Sequence, residues 1–370
     1  MSVSSVVTPA VVGVAFGGVV GAFGGYFKDR ATMRVQFRLD ERRNLRKLQS
    51  RYKGRMLEAA LDWDRRMMQL YEGAYVWLDP DDDKRTDVSE YYFQSVVFRF
   101  LQLTAIARRF EAEAFYIDPS IKAQGKDFDL LRYAKAMLWV MIHAELSPDD
   151  GQPGEDHFRS DAFRPLLDFC YSSAPIQGET SEADGGRLLP ETRTRDDELV
   201  FDLERYLAML RCADGGHGSK GYVDELLALF DGVRPDDYAA DGRPRRRWDR
   251  LVALHLVTLA FIDACGYDWH NRDVSERVDL ACQMLLYPED LARELDYWLP
   301  RLGLADETEV VRVRRALAAV PAFAADADAE ARAAGVHQAI TRNKKTRRPQ
   351  DAPPPLHGQP KPETAGAEML

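Results

Sequence analysis

Apolar positions recur in steps of three and four along most of this chain. Tyr52, Met56, Ala60, Trp63, Met67, Leu70, Ala74 and Trp77 form one such stripe, the mark of an amphipathic helix running from about residue 30 toward Leu78. Asp79-Pro80 is its stop signal, since proline disfavours helical backbone in the residue before it. The next segment, about 87–117, is apolar on nearly every side, with Tyr91, Tyr92, Phe93, Val96, Val97, Phe98, Phe100, Leu101, Leu103, Ile106 and Phe110. A helix without a polar face belongs in the middle of a bundle. Further helical patterns follow near 127–146, 196–212, 220–232, 245–265, 273–286, 289–300 and 306–335. No stretch alternates with period two or shows a strand–helix rhythm, so the fold class is all-α.

The first apolar run differs from the others. Residues 6–27 (VVTPAVVGVAFGGVVGAFGGYF) carry no charge, and as a helix they would span about 33 Å, enough for a hydrocarbon core. No basic residue precedes the run, whereas Lys28, Arg30, Arg34 and Arg38 follow it. A cleaved signal peptide has the opposite polarity. The expectation is therefore an uncleaved transmembrane anchor at 6–27, with the N-terminus outside and everything after residue 28 cytoplasmic. Gly13, Gly17, Gly21 and Gly25 recur every fourth residue, which on a helix makes a groove where a second membrane helix packs closely. By contrast, LVALHLVTLAFI (251–262) is twelve residues long and bounded by Arg250 and Asp263, the signature of a core helix rather than a second span.

Charge sharpens this division. The chain has a formal net charge of −10, yet residues 28–55 hold eleven Lys/Arg against Asp29, Asp40 and Glu41, and RNKKTRR (342–348) adds five Lys/Arg with no acid. The remainder is strongly acidic, so nucleic acid is not an expected partner of the body, whereas the first basic segment suits anionic headgroups at Lys28, Arg30, Arg34 and Arg38. From about residue 338 the chain turns basic and then proline-rich, which reads as a disordered tail over 338–370. The expected order is anchor (6–27), basic juxtamembrane amphipathic helix (28–78), cytoplasmic helical domain (85–335, with a candidate internal boundary in the polar stretch 173–196) and tail.

Candidate chemistry is thin. Asp79, Asp81, Asp83, Asp87 and Glu90 fall at calcium-loop positions, but Lys84 stands where that loop needs glycine, so an acidic linker capping the next helix is the better reading. Gly215-Gly-His-Gly-Ser-Lys-Gly221 lacks phosphate-loop spacing and reads as a helix–helix turn opened by Ser219. The four cysteines (Cys170, Cys212, Cys265, Cys282) have no C-x-x-C pair, and no histidine has a metal-site companion. No metal or cofactor is expected. Arg99, His143, His255 and Asp263 interrupt apolar helices and must find partners if buried. They could line one polar pocket, with the adjoining loop Asp268–Asp273 contributing His270; His255, Asp263 and His270 are then the catalytic candidates.

Three functions fit. The first is a single-pass membrane-anchored binding, scaffold or regulatory protein, partnered by membrane lipid and by a second copy or another membrane helix. The second is a membrane-tethered enzyme using the polar pocket. The third is a membrane-disrupting effector.

Overall fold

The computed structural model describes the backbone of residues 8–78, 87–114, 129–142, 163–164, 167, 226–227, 229–236, 246–267, 273–320 and 329–346. No side chain before Thr32 is described, nor any in the second helix before Tyr92. Among the described residues the fold is all-helical, with eight α-helices and no strand: α1 (Thr8–Leu70), α2 (Asp87–Ala114), α3 (Asp129–Ile142), α4 (Arg247–Ala264), α5 (Val274–Gln283), α6 (Pro288–Leu302), α7 (Thr308–Ala319) and α8 (Ala329–Thr346). A short 3₁₀ helix, Ala74–Leu78, follows α1.

The uncharged segment and the amphipathic stripe are one element. α1 is a continuous helix of 63 residues, about 95 Å long at the usual rise. Between Thr32 and Asn44 every described side chain is exposed, Met33, Val35 and Leu39 included. The buried face starts at Leu45 and continues through Tyr52, Met56, Ala59, Ala60, Trp63, Met67 and Leu70. The stripe is therefore real, but its last two members leave the helix. Gly73, at φ 92°, turns the chain after Leu70, and Ala74 and Trp77 belong to the 3₁₀ helix. A positive φ of this kind suits glycine because no Cβ meets the backbone.

α1 packs on α2 and α4, α2 on α3, and α3 on α4 and α6, while α5 and α7 close the far side of α4. The central element is α4: every residue from Arg247 to Ile262 is buried. The twelve-residue run 251–262 is thus a core helix, as its length predicted. Helix ends follow their local chemistry. Asp273 caps α5 by accepting from the Ser275 N–H at 3.2 Å. α6 starts on Pro288 and stops at Gly303 (φ 71°), where Gly303 N–H donates to Pro300 O and Leu304 N–H to Leu299 O.

Two sequence expectations are corrected at the C-terminal end. The pattern read as one helix over 306–335 is two, α7 and α8. The tail does not begin at 338: α8 continues to Thr346 because Val336, Ile340 and Asn343 are buried on one face. That packing holds residues whose composition alone looks unstructured. The loops at 79–86 and 215–221, the stretch 173–196 and residues 347–370 lie outside the described residues. Among the residues whose side chains are described, no helix is long and apolar enough to cross a membrane; the expected anchor, 6–27, is not among them.

Candidate functional site: two Asp–His–Tyr relays around Trp248

α4 is tied to its neighbours by polar groups that it carries into the core as well as by packing. Trp248 Nε1–H donates to Met284 O at 2.7 Å, Arg250 to Val140 O at 2.8 Å, and Arg247 to Asp231 O at 2.9 Å. Asp249 accepts from the N–H groups of Leu286 and Tyr287, both at 2.9 Å, and so fixes the turn that opens α6. Burial pushes its carboxyl up to about 6, and the two N–H donors and the Arg246 charge only partly offset that.

Around Trp248 two histidines are held in the same way. Tyr71 and Tyr75, four residues apart at the end of α1, both pack edge-on against the Trp248 ring, at centroid distances of 6.2 and 5.8 Å. Each tyrosine reaches a different histidine. In the inner set, Tyr71 Oη lies 2.9 Å from His255 Nδ1, and His255 Nε2 lies 3.0 Å from Asp64 Oδ1. Arg277, from α5, meets the second oxygen of Asp64 at 2.5 Å. A carboxylate only accepts, so His255 carries its proton on Nε2, and its bare Nδ1 accepts the Tyr71 hydroxyl. Asp64 and His255 are 3% and 0% exposed. Burial lowers the His255 pKa from its usual 6.5 against the raising effect of Asp64, and the Arg277 charge lowers it further. Burial likewise raises Tyr71 well above 10, aided by Cys282, Asp64 and Asp249. Both groups are thus held neutral.

The outer set repeats this order. Tyr75 Oη lies 3.0 Å from His337 Nδ1, and His337 Nε2 faces Asp236 Oδ1 at 3.9 Å. That is ion-pair range but too long for a hydrogen bond. Asp236 is itself paired with Arg234 at 3.2 Å. Here the histidine and aspartate are 38% and 42% exposed. Tyr75 is raised above 10, first by burial and then by the Asp236 charge, with Arg234 opposing.

The pocket drawn from sequence is not assembled in one place. His255 belongs to the inner relay; Asp263, two turns further along α4, pairs with Arg312 of α7. Arg99 donates within its own helix, to Ser95 O at 3.1 Å and to the Ser95 hydroxyl. His143 and His270 lie outside the described residues, as do the side chains of Gly13–Gly25, Lys28, Arg30, Arg34 and Arg38, though the backbone of the last two groups is part of α1. Clefts between α3, α4 and α6, lined by Trp139, Leu295 and Trp298, and between α3, α4 and α7 enclose only about 30 and 20 Å³. That is space for a water or two rather than a substrate.

Tyr71, Tyr75, Asp64, Asp236 and His337 were not singled out from sequence. Asp64 left only a weak signal: it is one of two acids, with Asp62, that flank Trp63 on the buried stripe of α1. His337 and Asp236 left none, being 101 residues apart, one in a helix and the other in a turn. Among the described residues no group of three or more His, Cys, Asp or Glu is placed to hold a metal ion. The chain matches no protein-family model, no curated protein and no solved structure.

Proposed function

We propose that this chain is a membrane-tethered binding or scaffold protein, in which one helix carries a cytoplasmic bundle away from the bilayer. The observation that carries the reading is the continuity of α1. The uncharged residues 8–27 and the stripe that forms the bundle core share one uninterrupted helix, Thr8–Leu70. On this reading the segment from Lys28 to Leu45 is a stalk of about 25 Å. Its first basic residues, Lys28, Arg30, Arg34 and Arg38, meet anionic headgroups, each contributing about 1 kcal/mol. Gly13, Gly17, Gly21 and Gly25 supply the face that pairs with a second copy or another membrane helix. The buried, neutral state of His255 and the separate pairing of Asp263 with Arg312 favour this role over the enzyme reading, because they split the polar pocket which that reading requires.

Alkaline extraction of membranes tests the tether, comparing the full chain with a version starting at Asp29. The full chain should remain in the pellet and the shortened one should be released. If the full chain washes off at high pH, the tether and the glycine-face pairing fall together.

A further inference from the structure

The inner relay places one carboxylate between two nitrogen groups, and only one of these has a way out to water. Asp64, on α1, accepts from His255 Nε2–H of α4 at 3.0 Å and from Arg277 of α5 at 2.5 Å. With the imidazole neutral the set is balanced, one carboxylate against one guanidinium. The lone pair left for a further proton is on His255 Nδ1, which accepts from the Tyr71 hydroxyl at 2.9 Å. A proton arriving there turns Tyr71 from donor to acceptor and makes the imidazole a cation. The set then holds two positive groups on one carboxylate where water is excluded, which is costly. The side chain of Arg277 is 16% exposed, against 0% for His255 and 3% for Asp64. His255 is also fixed in α4, buried from Arg247 to Ile262, whereas α5 is ten residues long and turns Glu276, Asp279 and Gln283 to solvent. The guanidinium is therefore the cation that can leave.

Titratable and charged groups reach this set from α1 (Asp64, Tyr71), from α5 (Arg277, Cys282) and from α4 itself (Asp249). Among the described residues, α3 and α7 meet polar groups of α4 elsewhere, at Arg250 and Asp263. α5 packs on α4 and α7, and Arg277–Asp64 is an ion pair that ties it to α1. We propose that this set is an acid-operated latch: the protonated imidazole keeps Asp64, the Arg277 guanidinium passes to solvent, and α5 is unclasped from α1. Burial holds His255 below its usual 6.5, against the raising effect of Asp64 and with Arg277 lowering it further. A histidine lowered on folding favours the closed form above 6.5 and loses that contribution as pH falls, so the latch is shut at neutral pH. Every group involved lies in the bundle, and the device does not depend on the tether.

Cys282 reports the opening. It lies on α5 after Arg277, is wholly buried, and its thiol is pushed up to about 12 by burial. The test exposes the full chain, in detergent, to dithiodipyridine, a disulfide that labels thiols in mild acid. Labelling of Cys282 is read by peptide mass spectrometry as a function of pH, with circular dichroism recorded alongside. The rate should rise below pH 6.5 by up to about tenfold per pH unit, the slope of one proton taken up on opening, at constant helicity. His255→Gln should remove the acceleration, and Arg277→Met should be labelled rapidly already at neutral pH. The proposal is overturned by a flat rate in the unaltered chain, or by acceleration that comes only with loss of helicity. An undiminished pH slope in His255→Gln, or slow labelling of Arg277→Met at neutral pH, overturns it equally. Should His255→Gln fail to fold, the unaltered chain and Arg277→Met decide.

Discussion

The inner and outer relays are built from the same three residue types in the same order, on tyrosines four positions apart that both pack against Trp248. Only burial separates them. Around Asp64 and His255 water is excluded, so every polar atom must be matched inside the protein, and Arg277 supplies the counter-charge. Around Asp236 and His337 water competes, and the His–Asp distance relaxes to 3.9 Å. The inner relay joins α1, α4 and α5 into one core; the outer relay leaves chemistry on the surface. The same residue types are sealed in the core in one place and stand half-exposed in the other.

The largest expected contrast is between the two aspartates. Asp64→Ala leaves the Arg277 guanidinium and the His255 N–H without their acceptor in the core, and should destabilise the fold by about 3–5 kcal/mol. Asp236→Ala removes a half-exposed pair and should change stability by less than about 1 kcal/mol. Urea melts of the two variants decide it; equal losses would mean that burial is not what distinguishes the relays.

Acid titration of stability gives the next contrast, and its sign follows from the direction of each shift. The His255 pKa is lowered on folding, so its contribution is fully present above the unfolded value of 6.5 and is lost as pH falls through the native value below that. Asp249 works in the opposite sense: raised from 3.8 to about 6, it contributes stability that is present below 3.8 and lost as pH rises through 6. His255→Gln should therefore flatten the loss of stability on acidification below 6.5, and Asp249→Asn the opposing gain between 6 and 3.8. An unchanged slope in His255→Gln would show that its imidazole is not held neutral.

The smallest effect is expected at the tyrosines. Tyr71→Phe leaves a buried His255 nitrogen without its donor and should lower stability by about 1–2 kcal/mol, whereas Tyr75→Phe, where water can replace the hydroxyl, should stay within about 0.5 kcal/mol. Thermal melts of the pair measure the difference directly.

What was legible beforehand followed local periodicity. The core face Tyr52–Leu70 and the burial of 251–262 are written in residue spacing, because a helix presents every third or fourth side chain to its neighbour wherever it packs. His255 stood out as a polar group in an apolar run, which had to find partners. Its partners were not legible: Asp64 is 191 residues away and Tyr71 184, and no spacing rule reaches so far. The same limit explains the C-terminal correction, since α8 extends to Thr346 with Val336 and Ile340 buried in the common core.

By itself, then, the amino-acid order determined the helical class, the positions of the main apolar faces and the separation of an uncharged segment, a basic one and an acidic body, all of which depend on neighbours within a few turns. Tertiary structure decided that the uncharged segment and the first core stripe are a single helix. It also decided that His255 and Asp263 enter different networks, and that two sets of the same three residue types lie beside Trp248, one buried and hydrogen-bonded throughout, the other half-exposed with a longer His–Asp distance. Those outcomes depend on which helix faces pack together and how much water they exclude, and burial of that kind is a property of the assembled fold rather than of any local stretch.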